Sequence, residues 1–158
     1  MSYIKIKSYA KLNLALNIIG KTSYLHRIES IIAFIDLYDI ISIKRLKSNK
    51  HNILFIGKFS QNISKKNTVS ELLEILEKRK LLKNKKFQIK INKQIPNKAG
   101  LGGGSMNAAN ILRHFIKKKI IKIKKKEIKE ISKLIGSDVI LGLNSTNSIL
   151  TSKNEIKY

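Results

Sequence analysis

Four of the chain's eight glycines fall within five consecutive positions: Gly100, Gly102, Gly103 and Gly104, in the run Pro96-Asn97-Lys98-Ala99-Gly100-Leu101-Gly102-Gly103-Gly104-Ser105. Before the run, Phe87, Ile89 and Ile91 alternate with Lys86, Gln88, Lys90 and Asn92, which predicts a strand. After it, Ser105 to about Lys118 predicts a helix with Ala108, Ala109, Leu112 and Phe115 turned inward. Glycine tolerates positive φ and carries no Cβ, so successive backbone N–H groups can turn inward around an anion. A helix starting directly behind them adds its free N–H groups and the positive end of its dipole. A flexible turn is the plainer reading, but four glycines against an Ala-rich helix are costly for a turn alone, and a phosphate cradle is expected. The run is not a Walker A loop, because no Gly-Lys-Ser/Thr follows, and Ser105 stands where Gly-x-Gly-x-x-Gly needs its last glycine.

The remaining pattern reads as strands followed by helices. Strands are expected over about 3–8, Lys11 to Ile19, Ile28 to Leu37, Asp39 to Leu46 and Asn52 to Ile56, with a connection at Gly20 to Ser23. Leu12, Leu14 and Leu16 share one face of the second strand. Thr68-Val69-Ser70-Glu71 fits a capping box, opening a helix of about 69–82 with Val69, Leu72, Leu73 and Leu76 inward. Another helix, about 125–135, would bury Ile128, Ile131, Leu134 and Ile135, and a last strand is expected over Asn147 to Thr151. This order predicts an α+β fold, a mixed sheet packed against helices. With 158 residues, no repeat and no linker, the chain is expected to be one domain over 1–158, long enough to bury roughly two-thirds of its unfolded surface.

The absence of cysteine excludes disulfides, thiolate metal sites and a cysteine nucleophile, and His26, His51 and His114 form no ligand spacing, so no protein metal site is expected. No apolar run reaches ~18 residues, which argues against a membrane partner, and no signal peptide is visible, so a cytoplasmic location is expected. The net charge of +23 would attract nucleic acid at low salt. However, 29 of the 33 basic residues are Lys, alongside 29 Ile and 14 Asn, all residues with codons rich in A and T. Arg occurs four times and aromatics make up 6%, so the charge reads as compositional bias and nucleic acid is not the expected partner.

Two further segments are odd for a plain core. Ala10-Lys11-Leu12-Asn13-Leu14 puts Lys and Asn, two apart, on one face of an apolar strand, and Gly136-Ser137-Asp138-Val139 puts an acid just after a helix. Each alone reads as an edge-strand or turn residue. Beside a phosphate cradle they suggest phosphoryl transfer, with an acid to take a proton and a Lys to offset charge.

These segments, with His26-Arg27-Ile28-Glu29-Ser30-Ile31 and Ile35 to Ile43, resemble the GHMP small-molecule kinases over essentially the whole chain. The Ala-Lys-Leu-Asn-Leu opening is similar to the branch that phosphorylates diphosphocytidyl-methylerythritol in non-mevalonate isoprenoid synthesis. The resemblance implies ATP, with Mg²⁺, as phosphoryl donor and that small molecule as acceptor. It implies that Asp138 is the catalytic base and Lys11 its charged partner, that Asn13 and His26 contact the substrate, and that Pro96, Gly100, Leu101, Gly102, Gly103, Gly104, Ser105 and Asn107 hold ATP. Three departures stand out: Tyr24-Leu25-His26 is one residue shorter upstream than the family's Gly-Tyr-His, Met106 replaces a second Ser, and Val139-Ile140-Leu141-Gly142 replaces Val-Pro-aromatic. The chain ends about where the family's second domain would begin, so a missing second domain is expected. Its place would be taken by a complementing half or by self-association. An inactive relic that keeps nucleotide or partner binding, and a basic nucleic-acid-binding domain, are the rival readings.

Overall fold

In the computed structural model the described residues are 2–21, 26–151 and 156–157, and side chains within 21–28 lie outside that description. Six strands form one mixed sheet: β1 (Ile4–Lys21), β2 (His26–Leu46), β3 (Asn52–Ile56), β4 (Lys86–Asn92), β5 (Ser148–Leu150) and β6 (Ile156–Lys157). The order is β3-β4-β2-β5-β6, with β1 along the other edge of β2. Among the described residues only β3 and β4 run parallel; the other pairs are antiparallel. The helices are α1 (Thr68–Lys78), α2 (Gly103–Lys117), α3 (Lys125–Ile135) and the single turn α4 (Val139–Gly142).

The first half is built from fewer, longer elements than its pattern suggests. The two strands expected over 3–8 and 11–19 are one, and β1 continues through Gly20 and Lys21, where a connection was expected; Thr22 and Ser23 lie outside the described residues. The strands expected over 28–37 and 39–46 are likewise one 21-residue strand, β2. No glycine or proline interrupts β2, so nothing forces a break. The chain bends instead through a register shift, Tyr9 pairing with Tyr38 but Ala10 with Ile35.

That shift changes which side chains face the helices. Before it, Ile4, Ile6 and Ser8 stand opposite Ile43, Ile41 and Asp39, with Ile41 and Ile43 in the core. Beyond it, Lys11 and Asn13 stand opposite Phe34 and Ile32, and Ile32 packs against Met106 of α2 and Leu141 of α4. The inward parity of β1 therefore passes from even to odd positions. Leu12 is left exposed opposite Ala33, but a second shift between Asn13 and Ala15 brings Leu16 opposite Ser30 on the other face, so the leucines expected to share one face do not.

The main core joins Ile41, Ile43, Ile89 and Ile91 of the sheet to Leu72 and Leu76 of α1, Ala108, Leu112 and Phe115 of α2, and Ile131 of α3. Leu134, expected inward, is 64% exposed, because Ile128, Ile131 and Ile135 already form the seam of α3. The cap of α1 also differs from the expected Thr68–Glu71 box. Asn67 is the N-cap, its Oδ1 accepting from Val69 and Ser70 N–H, while Ser70 Oγ accepts from Asn67 N–H. Asn67 takes that position with its carboxamide oxygen on the Val69 and Ser70 N–H groups, while the Thr68 hydroxyl is spent on Gly104 C=O. No described helix is long and apolar enough to cross a membrane.

Candidate active site

The glycine run forms a turn entering α2. Gly100 and Gly102 lie in the left-handed region at φ +74° and +66°, where side chains are strained. Gly102 is the N-cap and offers no side chain, and the first helical bond runs from Met106 N–H to Gly102 C=O. The N–H groups of Gly103, Gly104 and Ser105 thus have no acceptor within the helix and point out of its positive end.

Lys11 lies against this turn. Its N–H donates to Leu101 C=O at 3.1 Å, and a Cβ on Gly102 would stand 2.9 Å from Lys11 Cγ. The Lys11 ammonium is 3.1 Å from Asp138 Oδ2 and donates to Asn13 Oδ1 at 3.1 Å. Asp138 is the N-cap of α4 but caps nothing with its side chain, which is one-third exposed beside a buried Lys11. Residues 127 positions apart (138 − 11) therefore meet beside the glycine turn. A Cβ on Gly136 would lie 3.6 Å from Ser105 Oγ, so the chain leading to Asp138 also borders the turn.

Beneath the turn is a charge pair that the sequence reading missed. Asp39 and Lys93 are almost wholly buried and in contact. Asp39 Oδ1 accepts from the N–H groups of Gln94 and Ile95 at 2.8 and 2.9 Å, and Oδ2 from Asn107 Nδ2 at 2.8 Å. Asp39 lies within the Ile35 to Ile43 run that carries the family resemblance, but no role is assigned to it there. A cavity of about 70 Å³ opens beside the turn, lined by Phe55, Ile63, Asn67, Thr68, Lys93, Asn97, Gly104 and Asn107 among others. Thr68 Oγ1 donates to Gly104 C=O at 2.8 Å, tying the start of α1 to the start of α2.

Other expected site residues are placed less closely. Pro96 lacks an N–H and leads into the turn, while the neighbouring Asn97 donates to the carbonyls of Phe59 and Gln61. The His26 backbone is in β2, but its side chain lies outside the described residues. Among the described residues no group of three or more His, Asp or Glu could hold a metal ion. A larger concavity of about 540 Å³, lined by Lys44, Arg45, Lys47, Lys85 and Lys86, lies where β2 ends at Leu46 and β4 begins at Lys86, at the other end of the ladder from Asp39.

Residues 67–149 match the family described as GHMP kinases N terminal domain. That match covers more than half of the chain, and the chain belongs to this family. It is 61% identical over 157 residues to the 4-diphosphocytidyl-2-C-methyl-D-erythritol kinase of Pelagibacter ubique, covering 99% of this chain and 56% of that protein. It is 36% identical over 138 residues to the kinase of the same name from Finegoldia magna, covering 85% and 48%. A crystal structure of 4-(cytidine 5'-diphospho)-2C-methyl-D-erythritol kinase superposes with a TM-score of 0.74 at 21% identity, covering 98% of this chain and 54% of that one. The chain spans about half the length of the curated relatives it matches.

Proposed function

We propose that the chain, over 1–158, is the nucleotide-binding half of an ATP-dependent kinase acting on the hydroxyl of diphosphocytidyl-methylerythritol. The observation that carries this is the contact of Lys11 with Asp138 against the glycine turn. The triphosphate would lie on the N–H groups of Gly103, Gly104 and Ser105, with the base towards the cavity that Gly104 and Asn107 line. Magnesium, which is bound largely through substrate phosphates, would arrive on the triphosphate. Asp138 would take the proton as the substrate oxygen bonds to the γ-phosphorus and the bond to ADP breaks. Lys11 holds that carboxylate in place and offsets charge on the transferred group. Asn13, fixed by Lys11, is set to meet the acceptor molecule.

Completing this site needs a second half. Leu12, Ile31 and Ile149 are exposed on one face where β1, β2 and β5 run together, Leu12 opposite Ala33 and Ile31 opposite both Ala15 and Ile149. An apolar face of that kind favours burial against a partner, either a complementing half or another copy of the chain. The test is transfer from γ-labelled ATP to diphosphocytidyl-methylerythritol, with the chain alone and with the carboxyl-terminal part of the Pelagibacter ubique relative added. Negligible turnover alone and restored turnover with the added half are expected. Full turnover by the chain alone would overturn the need for a partner. No turnover in either arm, with nucleotide still bound, would favour the inactive relic.

A further inference from the structure

A carboxylate only accepts hydrogen bonds, so the Asn107 group facing Asp39 Oδ2 at 2.8 Å must be its NH₂. The carbonyl oxygen Oδ1 is therefore turned the other way. Asn107 is 1% exposed, and among the described residues its Oδ1 has no hydrogen-bond partner. Leaving a buried acceptor unpaired is costly unless something else supplies a donor.

Asn107 lines the cavity beside the glycine turn, where its neighbours are already engaged. Asn67 spends its side chain on the cap of α1, Thr68 donates to Gly104 C=O, and Asn97 donates to Phe59 and Gln61. Asp39 cannot swing away, because its other oxygen holds the Gln94 and Ile95 N–H groups and Lys93 is pinned against it. The orientation of the Asn107 amide is thus dictated from β2, one layer below the cavity.

We propose that Asp39 is a positioning residue that fixes the Asn107 carboxamide with its oxygen towards the cavity, so that a nucleotide seated there must offer an N–H donor on its base. This rests on the cavity being the base end of the nucleotide site. Adenine meets the requirement with its exocyclic amine; unsubstituted purine, which has only acceptors on that edge, does not. Replacing Asp39 by Asn would supply a donor in place of the carboxylate. The Asn107 amide would then turn over and offer its NH₂ to the cavity.

The test compares ATP with purine riboside triphosphate by displacement of a fluorescent ATP analogue from the full chain. The wild type should prefer ATP by on the order of tenfold. The double variant Asp39→Asn/Lys93→Met, which leaves no buried charge unpaired, should lose or reverse that preference. Asn107→Leu, which keeps the Asp39–Lys93 pair and removes the acceptor, should lose it without reversal. A purely structural role for Asp39 would weaken both nucleotides equally and leave their ratio unchanged. A wild type that binds both equally would overturn the inference while leaving the ATP reading intact, as would a double variant that keeps the full preference. A wild type that binds neither would overturn the ATP reading itself and the inference with it.

Discussion

Replacing Gly102 by Ala should reveal how tightly the glycine turn and Lys11 are fitted together. At φ +66° an alanine takes the left-handed conformation at a cost of ~1–2 kcal/mol. Its Cβ would also stand 2.9 Å from Lys11 Cγ and 3.1 Å from Lys11 Cε, and Cγ lies too near the backbone to swing clear. Overpacking of this kind costs ~1–3 kcal/mol. Gly100 is the control: its φ is +74°, but nothing lies within 4 Å of a Cβ there, so Gly100→Ala should cost the conformational part alone. At ~2–4 °C per kcal/mol for a chain of this size, Gly102→Ala should melt roughly 5–15 °C below the wild type, and Gly100→Ala only a few degrees below. Thermal denaturation followed by circular dichroism reads both. Lys11→Ala removes the atoms that clash, so a double-mutant cycle of Gly102→Ala with Lys11→Ala should show a coupling of ~1–3 kcal/mol. Strict additivity in that cycle, or equal losses at Gly100 and Gly102, would refute the claim that Lys11 is wedged against the turn.

Three further outcomes are expected. With a complementing half supplied, Asp138→Asn should lower kcat by ~100-fold or more while leaving nucleotide affinity within a few-fold, since only proton acceptance is removed; an equal loss of affinity would argue for a binding role. Asn67→Ala should cost ~0.5–2 kcal/mol in chemical denaturation by removing the cap of α1, whereas Glu71→Ala should cost much less. Burial lowers the pKa of His51 and His114 in the folded chain, so the unfolded chain binds more protons as the pH falls through the ordinary histidine range. Stability from these groups is present above about pH 6.5 and is lost as the pH falls through their depressed folded values, so melting temperature should drop on acidification and His51→Gln should shallow that drop.

The helices α1 and α2 were legible because each has one clear apolar seam, with Val69, Leu72, Leu73 and Leu76 buried in α1 and Ala108, Ala109, Leu112 and Phe115 in α2; the single turn α4 is too short to show one. The strand β4 was legible through strict alternation, with Phe87, Ile89 and Ile91 all buried. The glycine turn, Lys11 and Asp138 could be found because glycine clusters and isolated charges in apolar runs are locally conspicuous. Asp39 and Lys93 were not found, since Asp39 shares its run with a second acid, Asp36, and Lys93 is one of 29 lysines, so neither stands out locally. Nor could alternation show that Leu12 faces outward while Lys11 and Asn13 stand on the side of Ile32. That inversion arises where Asp36 and Leu37 fall unpaired between two stretches of the β1–β2 ladder, a choice made by the ladder as a whole.

The same irregularity makes the site sensitive to counting rather than to chemistry. Side chains alternate with a period of two along a strand, so Lys11 points at Asp138 only while the number of residues between the bend and Lys11 keeps its parity. Tyr9 or Tyr38, which pair across the bend, could change identity and leave that geometry standing. Deleting Ala10, the one residue between the bend and Lys11, would send the ammonium to the opposite side of the sheet, with Lys11 and Asp138 both still in the sequence. In this hairpin the quantity on which the Lys11–Asp138 contact depends is a length.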